Sequence, residues 1–220
     1  MPKRPKINPD DLPPAPNLTF ENELWQRGYL FVAGIDEAGR GALAGPVYAA
    51  ALILPSGNPE LITMLTGVND SKKLTPAQRV FWAAHLPHIA VAWSVASASA
   101  MEIDRVGILS ATRLAVERAV CTLSASPDHL LLDYLEIPTI ALPQTSLVKG
   151  DARSLTIAAA SILAKTARDA HLGALDEIYP GYGFATHKGY GTPQHLKALQ
   201  TLGPSPVHRH TFAPLQPRLF

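Results

Sequence analysis

Gly34-Ile35-Asp36-Glu37-Ala38-Gly39-Arg40-Gly41-Ala42-Leu43-Ala44-Gly45-Pro46-Val47 sets two adjacent carboxylates at the end of an apolar run and follows them with a glycine-dense turn carrying one arginine. The run Tyr29 to Ile35 reads as a strand, and the strongly apolar Val47 to Leu54 reads as a second. Side chains alternate between the faces of a strand, so Asp36 points to one face and Glu37 lies near its rim. A polar turn between strands explains most Asp-Glu pairs. Here it must also accommodate four glycines in twelve residues, which costs chain entropy unless backbone comes close to something. Gly39, Gly41 and Ala44 also match the G-x-G-x-x-G/A loop of dinucleotide-binding proteins. That loop needs a helix beginning within the glycines, and Pro46 with a strand-like run stands there instead.

Outward from this stretch, Ile89 to Val95 is a third strand candidate. Thr75-Pro76-Ala77-Gln78 combines a capping box with proline at the first helical position and opens a short helix. Ser99 and Glu102 form another capping box, and after Gly107 apolar residues recur at helical spacing to about Ser124. His129 to Asp133 reads as a short buried strand and Ile137 to Leu142 as another. Ser154 to Ile178 is a long alanine-rich helix stopped by Pro180 and Gly181, and Thr192-Pro193 opens a last helix. Three early strands followed by alternating helix and strand predict an α/β fold, a mixed sheet with helices on its faces.

Length and composition bound the function. The chain has 220 residues, 47% hydrophobic and 17% charged, enough to bury a substantial core. Its 19 basic and 18 acidic residues leave a net charge of +1, which excludes a polycationic tail binder but not a local basic groove. Cys121 is the single cysteine, so disulfide frameworks and cysteine-rich zinc sites are excluded. No apolar run has the length of a membrane span, and the opening residues lack an apolar signal region, so a cytoplasmic protein is expected, and a monomer is the default for this composition. Six of the 20 prolines fall in the first 16 residues, so residues 1–18 read as a flexible, basic lead-in. One domain is expected over residues 19–205, with a proline-rich tail over 206–220.

Asp133 ends the run His129-Leu130-Leu131-Leu132, where a carboxylate often marks only the exit to solvent. Asp151 precedes the long helix, where helix capping is the ordinary explanation. Together with Asp36 and Glu37 they make four carboxylates near element ends, which a sheet could gather. Clustered acids repel unless a cation lies between them, and oxygen-only ligation selects Mg²⁺ or Mn²⁺ over zinc. Paired ions of that kind suit displacement at phosphorus by water. The histidines do not read as a zinc site, because His187 and His195 lack a third ligand at motif spacing. Phosphate-friendly groups accompany the acids. Asn69-Asp70-Ser71-Lys72-Lys73-Leu74 precedes a capped helix, and Ser161, Lys165, Arg168 and Asp169 share one helical face. Lys165 and Asp169 also fit an ordinary surface pair. His187-Lys188-Gly189-Tyr190-Gly191-Thr192 is a basic-aromatic turn suited to a nucleic-acid backbone, which His208, Arg209 and His210 could continue.

These residues resemble the ribonuclease HII family. The match is carried by Ile35 to Gly41 and Gly45-Pro46-Val47, Asn69 to Leu74, Lys149-Gly150-Asp151-Ala152, Ala158 to Lys165 and His187 to Thr192, in the family's order. The resemblance implies a ribonuclease H-like mixed β-sheet with flanking helices and a C-terminal helical extension. It implies a metal-dependent endonuclease that cuts the RNA strand of RNA/DNA hybrids. It also implies incision 5′ of ribonucleotides embedded in duplex DNA, leaving 3′-hydroxyl and 5′-phosphate ends. Carried across, the metal carboxylates are Asp36, Glu37, Asp133 and Asp151, binding two Mn²⁺ or Mg²⁺ ions. Gly39, Arg40 and Gly41 would read the 2′-hydroxyl, Tyr190 would stack on the deoxyribose side of the junction, and Lys72, Lys165 and Lys188 would contact phosphates. Tyr134 departs from the pattern, since the family commonly has glycine after the third carboxylate and tyrosine tolerates positive φ poorly.

The final residues Gln216-Pro217-Arg218-Leu219-Phe220 resemble the Q-x-x-L-F peptides by which bacterial repair proteins dock on the sliding clamp; an incidental proline-rich end is the competing explanation. Another ribonuclease H-like nuclease, such as a resolvase, would explain the carboxylates but not Gly39-Arg40-Gly41. A noncatalytic nucleic-acid-binding module would leave four carboxylates working against affinity.

Overall fold

Strand β1 (Val32–Ala38) is the middle of a five-stranded sheet with β2 (Val47–Ile53), β3 (Ala92–Ala98), β4 (His129–Asp133) and β5 (Gln144–Leu147), in the order β3-β2-β1-β4-β5. The computed structural model describes residue 8 and residues 12–216. β1, β2 and β3 pair antiparallel, whereas β1 pairs parallel with β4 and β4 with β5, so the sheet is mixed. The helices are α1 (Thr19–Gln26), α2 (Leu61–Met64), α3 (Pro76–Ile89), α4 (Ala100–Val106), α5 (Ile108–Cys121), α6 (Leu155–Ile178), α7 (Phe184–His187) and α8 (Pro193–Leu202). No helix among the described residues is long and apolar enough to cross a membrane.

Strand alternation splits the core in two. Ala33 and Ile35 of β1, with Leu130 and Leu132 of β4, pack on one face with Ala111, Ala115, Val116 and Ala119 of α5. Val32 and Leu131 face the other way and pack with Ile157 of α6. Small residues let α6 lie close to the sheet, and Gly34 sets the limit: a Cβ there would stand 2.5 Å from the Thr156 carbonyl carbon. The obstruction is backbone, so Gly34→Ala is expected to destabilise the fold by about 1–3 kcal/mol, measured as a lower melting temperature.

Helix starts follow the capping chemistry. The Thr75 hydroxyl accepts from Gln78 N–H at 3.3 Å while Gln78 Oε1 accepts from Thr75 N–H at 2.8 Å, and Ser99 with Glu102 repeats the arrangement at α4. Each such cap stabilises its helix by about 1 kcal/mol. α3 runs 14 residues to Ile89, longer than the short helix expected. β3 therefore begins at Ala92, three residues later than its apolar run suggested. β1 begins and ends three residues later than its apolar run, at Val32 and Ala38, so Asp36 and Glu37 lie inside the strand.

The expected strand from Ile137 to Leu142 is absent, and the fifth strand is the polar Gln144–Leu147. Side-chain bonding explains the exchange. Gln144 Oε1 accepts from Ile137 N–H at 3.0 Å, and its amide donates to the Ile137 and Ile140 carbonyls at 2.9 and 3.0 Å. Those bonds satisfy the loop backbone without a ladder, while Ile137 still buries its side chain in the core. α1, α2 and α7 are short elements that the sequence pattern did not announce.

Candidate active site

The register pairs Ile35 with Leu132, so Asp36 and Asp133 are the next residues of two adjacent parallel strands. By alternation from Gly34 and Leu131, both project toward the α6 side. Asp151 reaches the same end of the sheet from a 3₁₀ turn, Gly150–Ala152, just before α6. That turn is tied to β4, because Gly150 N–H donates to Asp133 Oδ1 at 2.7 Å. The N-cap of α6 is Ser154, not Asp151, so capping does not explain the aspartate. Asp36 and Asp151 are each only 6% exposed.

Burial pushes the Asp36 carboxyl well above its usual range, and the nearby Glu37, Asp133 and Asp151 push it further. Cationic side chains lie against two of the other acids: Arg40 Nη1 is 3.1 Å from Glu37 Oε1, and Lys72 Nζ is 3.1 Å from Asp151 Oδ2. Burial opposes the Lys72 charge, but Asp151, Asp70 and Asp36 hold its pKa above the ordinary value. As the side chains stand, no three His, Cys, Asp or Glu residues among those described converge to hold a metal ion. The donor chemistry nevertheless fits a hard divalent cation. A buried carboxyl compressed by three others is the electrostatic problem that such an ion relieves.

A cavity of about 660 Å³ opens over three of the four acids, lined by Asp36, Glu37 and Asp133, by Gly39, Arg40 and Gly41, and by Ser71, Lys72, Arg79, Lys165 and Tyr190, with Asp151 behind Lys72 and outside the lining. Lys188 is not part of it. That lysine lines an adjoining cavity of about 430 Å³ with Arg79 and Asp169, and its ammonium donates to Ala185 O at 2.8 Å. Lys165 and Asp169 are more than a surface pair. Their 2.7 Å bond is half-buried and shared with Arg79, whose Nη2 stands 3.5 Å from Asp169 Oδ2.

The family model for ribonuclease HII matches residues 33–215, a span containing every one of these cavity residues. The chain belongs to the ribonuclease HII family. A ribonuclease HII of Desulfitobacterium hafniense (strain Y51) is 52% identical over 202 residues, covering 92% of this chain and 76% of its own length. A solved ribonuclease H2 from Pyrococcus horikoshii OT3 aligns with a TM-score of 0.71 at 26% identity, covering 84% of this chain and 94% of that one. The PCNA:RNase HII complex from Archaeoglobus fulgidus shares the fold, with a TM-score of 0.68 at 24% identity over 86% of this chain and 98% of that chain. As a member of the ribonuclease HII family, the chain is an endoribonuclease acting on RNA/DNA hybrids.

The ribonuclease HII glycine loop rests on two buried guanidiniums that sequence reasoning misplaced. Arg209 was read as surface, yet it is fully buried and donates to the carbonyls of Gly45, Arg40 and Gly39 at 2.9, 2.8 and 2.8 Å. Arg168, read with Lys165 as one phosphate-facing stripe, is also fully buried and donates to the Pro46 and Ala44 carbonyls at 3.2 and 3.3 Å. Gly39 has φ 94°, and any Cβ there would collide with the Arg168 side chain. Gly41 differs, because a Cβ there would meet nothing within 4 Å, so internal packing does not require glycine. Tyr134 has φ 45°, so the chain keeps a left-handed conformation after Asp133 at a cost of about 1–2 kcal/mol.

Three histidines brace the Tyr190 turn. His187 Nε2 donates to Tyr182 O at 2.8 Å and its Nδ1 accepts from Gly189 N–H at 3.2 Å. His195 Nδ1 lies 3.0 Å from Tyr190 O, His195 Nε2 lies 3.0 Å from His208 Nε2, and His208 Nδ1 accepts from Ser205 N–H at 2.9 Å. These partners assign every ring a neutral tautomer, with a proton on His195 Nδ1 and on His208 Nε2. Burial, with His195 beside it, pulls the His208 pKa down to about 4. The unfolded chain takes up that proton near pH 6.5, so stability from this group is complete above pH 6.5 and falls as pH drops toward 4. A His208→Gln variant is expected to lose this slope, seen as a flatter melting temperature between pH 6.5 and 5 than in the natural chain.

Proposed function

We propose that the hybrid-directed endonuclease is metal-dependent and also incises 5′ of single ribonucleotides embedded in duplex DNA, leaving 3′-hydroxyl and 5′-phosphate ends. The carrying observation is the buried Asp36, compressed by Glu37, Asp133 and Asp151 at the floor of a cavity walled by Gly39-Arg40-Gly41 and Tyr190. Asp36, Glu37, Asp133 and Asp151 would hold the ions, Mn²⁺ or Mg²⁺ by their all-oxygen donors. Bound divalent cations supply water activation and stabilisation of the leaving 3′ oxygen.

The chain's own groups position the substrate. Gly41 adds no bulk where a Cβ would stand free, which suits a close backbone approach to a 2′-hydroxyl, and Arg40 extends beside it. Tyr190, 38% exposed, offers its ring to a sugar while Arg168 lies 5.4 Å behind it. Lys72 and Lys165 face the cavity toward phosphate, and Lys188 stands beyond it on the neighbouring surface. Arg40→Ala is expected to lower the preference for ribonucleotide over deoxyribonucleotide junctions by roughly tenfold, the scale of one lost charge-assisted hydrogen bond. Cleavage rates on paired substrates measure it, and unchanged discrimination would remove Arg40 as a reader.

The deciding experiment is incubation with a duplex carrying one ribonucleotide, with and without Mg²⁺ or Mn²⁺. A single metal-dependent cut on the 5′ side supports the proposal; cleavage without metal, or none at the ribonucleotide, overturns it. A clamp interaction through Gln216–Phe220 rests on the sequence of the tail, of which residues 217–220 lie outside the described residues. Capture of a sliding clamp should be lost when those five residues are deleted, and persistent capture would refute it.

A further inference from the structure

Helix α1 lies outside residues 33–215, yet it carries a fully buried carboxylate, Glu21. A buried carboxylate is costly unless its oxygens are bonded, and the bonds of Glu21 all go to the start of α6. Its Oε1 accepts from the Ser154 hydroxyl at 2.6 Å and from Thr156 N–H at 2.9 Å, while the buried Oε2 meets no donor among the described residues. The neighbouring amides of α6 are satisfied alongside. Leu155 N–H donates to Asn17 O at 2.9 Å, and Ile157 N–H donates to the Ser154 hydroxyl oxygen at 3.2 Å. Asn17 N–H in turn donates to Arg153 O at 3.1 Å. The unsatisfied amides that open any helix are thus all taken up here, two of them by the segment 17–21. The Glu21 carboxyl also lies at the positive end of a 24-residue helix, which favours its ionised form against the burial that raises its pKa.

Asp151 stands three residues before Ser154, within the same tied segment. Arg153 and Ser154 N–H groups both return to Gly150 O, at 3.0 and 2.8 Å, closing the turn that carries it. Gly150 N–H is held by Asp133 on one side, and Arg153 to Thr156 by Asn17 and Glu21 on the other. Gly34, two residues before Asp36, lies directly under Thr156. The position of Asp151 relative to Asp36 is therefore set by where the first turn of α6 sits on β1.

We propose that Glu21 is a positioning residue: through the first turn of α6 it places Asp151 against Asp36 and Asp133 for cation binding. This rests on the carboxylate-site assignment proposed above. The rival is that Glu21 stabilises the fold and nothing more, and the two part on metal affinity measured without substrate. Calorimetric titration of Mn²⁺ into the full chain, well below each melting temperature, is compared for the natural protein, Glu21→Ala and Leu86→Ala. Leu86, fully buried on α3 in the apolar cluster that also covers α6, serves as a control for stability loss that leaves the Glu21 bonds intact. Glu21→Ala is expected to weaken Mn²⁺ binding by roughly tenfold, as loss of a group that orients a metal ligand does. At saturating Mn²⁺ its KM for an RNA/DNA hybrid should stay that of the natural protein. Leu86→Ala should melt earlier with Mn²⁺ affinity unchanged. If Glu21→Ala does not fold, Glu21→Asp decides, since the shorter side chain keeps the carboxyl but draws back from Thr156 N–H. Natural Mn²⁺ affinity in the folded Glu21 variant, or equal weakening in Leu86→Ala, overturns the inference. Absence of Mn²⁺ binding by the natural chain would instead remove the site assignment, and this inference with it.

Discussion

Asp36→Asn is expected to lower cleavage of an RNA/DNA hybrid by at least about 10³-fold, the several kcal/mol that a metal-ligating carboxylate supplies at about 1.4 kcal/mol per tenfold. Stability should move the other way. Asparagine keeps the shape and an oxygen able to accept the Glu37 N–H now bonded to Asp36 Oδ1 at 2.8 Å. It removes the charge that burial and three neighbouring carboxylates disfavour. The variant should therefore melt at or above the temperature of the natural chain while being inactive. Hybrid binding should persist, because Arg40, Lys165 and Tyr190 are untouched across the cavity. The measurement pairs single-turnover cleavage in Mg²⁺ with a melting curve. Normal turnover would refute the assignment of Asp36, and inactivity with a collapsed melting temperature would assign it a structural role.

The pattern of sequence carried the sheet well where burial alternates and poorly where polar side chains replace the ladder. Val47 to Ile53 is apolar on both faces because α5 and α6 cover both, and its boundaries were legible to within a residue. Thr75, Ser99 and Thr192 announced their helices through chemistry local to four residues. The fifth strand was not legible, because Gln144 both starts it and satisfies the loop before it. Nothing in the composition of Gln144 to Leu147 distinguishes that strand from a polar loop.

The carboxylates were legible as residue types at element ends, and the fold brings Asp36, Glu37, Asp133 and Asp151 into one electrostatic neighbourhood. What supports them was not. Glu21 is 130 residues before Asp151, and no local pattern ties the two. Arg168 and Arg209 look like phosphate-binding cations in sequence, since arginine is usually exposed. Their burial follows from the glycine loop, whose carbonyls turn inward and need donors that water cannot supply. A clue was present, because a loop with glycines at φ 94° and 79° has few ways to satisfy its own backbone.

Arg209→Ala should accordingly have the largest effect on stability. One guanidinium holds three carbonyls, those of Gly39, Arg40 and Gly45, from 164 or more residues away in sequence. Truncation takes the donor from the Arg40 and Gly45 carbonyls, leaves Gly39 O with only Ala42 N–H at 3.3 Å, and opens a cavity where the side chain lay. The expected loss is about 3–5 kcal/mol, or on the order of 10 °C in melting temperature for a chain of this length. Lysine should not rescue it, because one ammonium on a flexible stem does not reproduce the planar fork that spans Gly39 to Gly45. Cleavage should fail even below the lowered melting temperature, since the carbonyls released are those that fix Arg40 beside Glu37. Thermal melting of Arg209→Ala and Arg209→Lys, with hybrid cleavage at 20 °C below each midpoint, checks both claims. A midpoint within about 2 °C of the natural chain would show that the loop holds itself. Preserved cleavage in a destabilised variant would show that Arg209 serves the fold without setting the loop that carries Arg40.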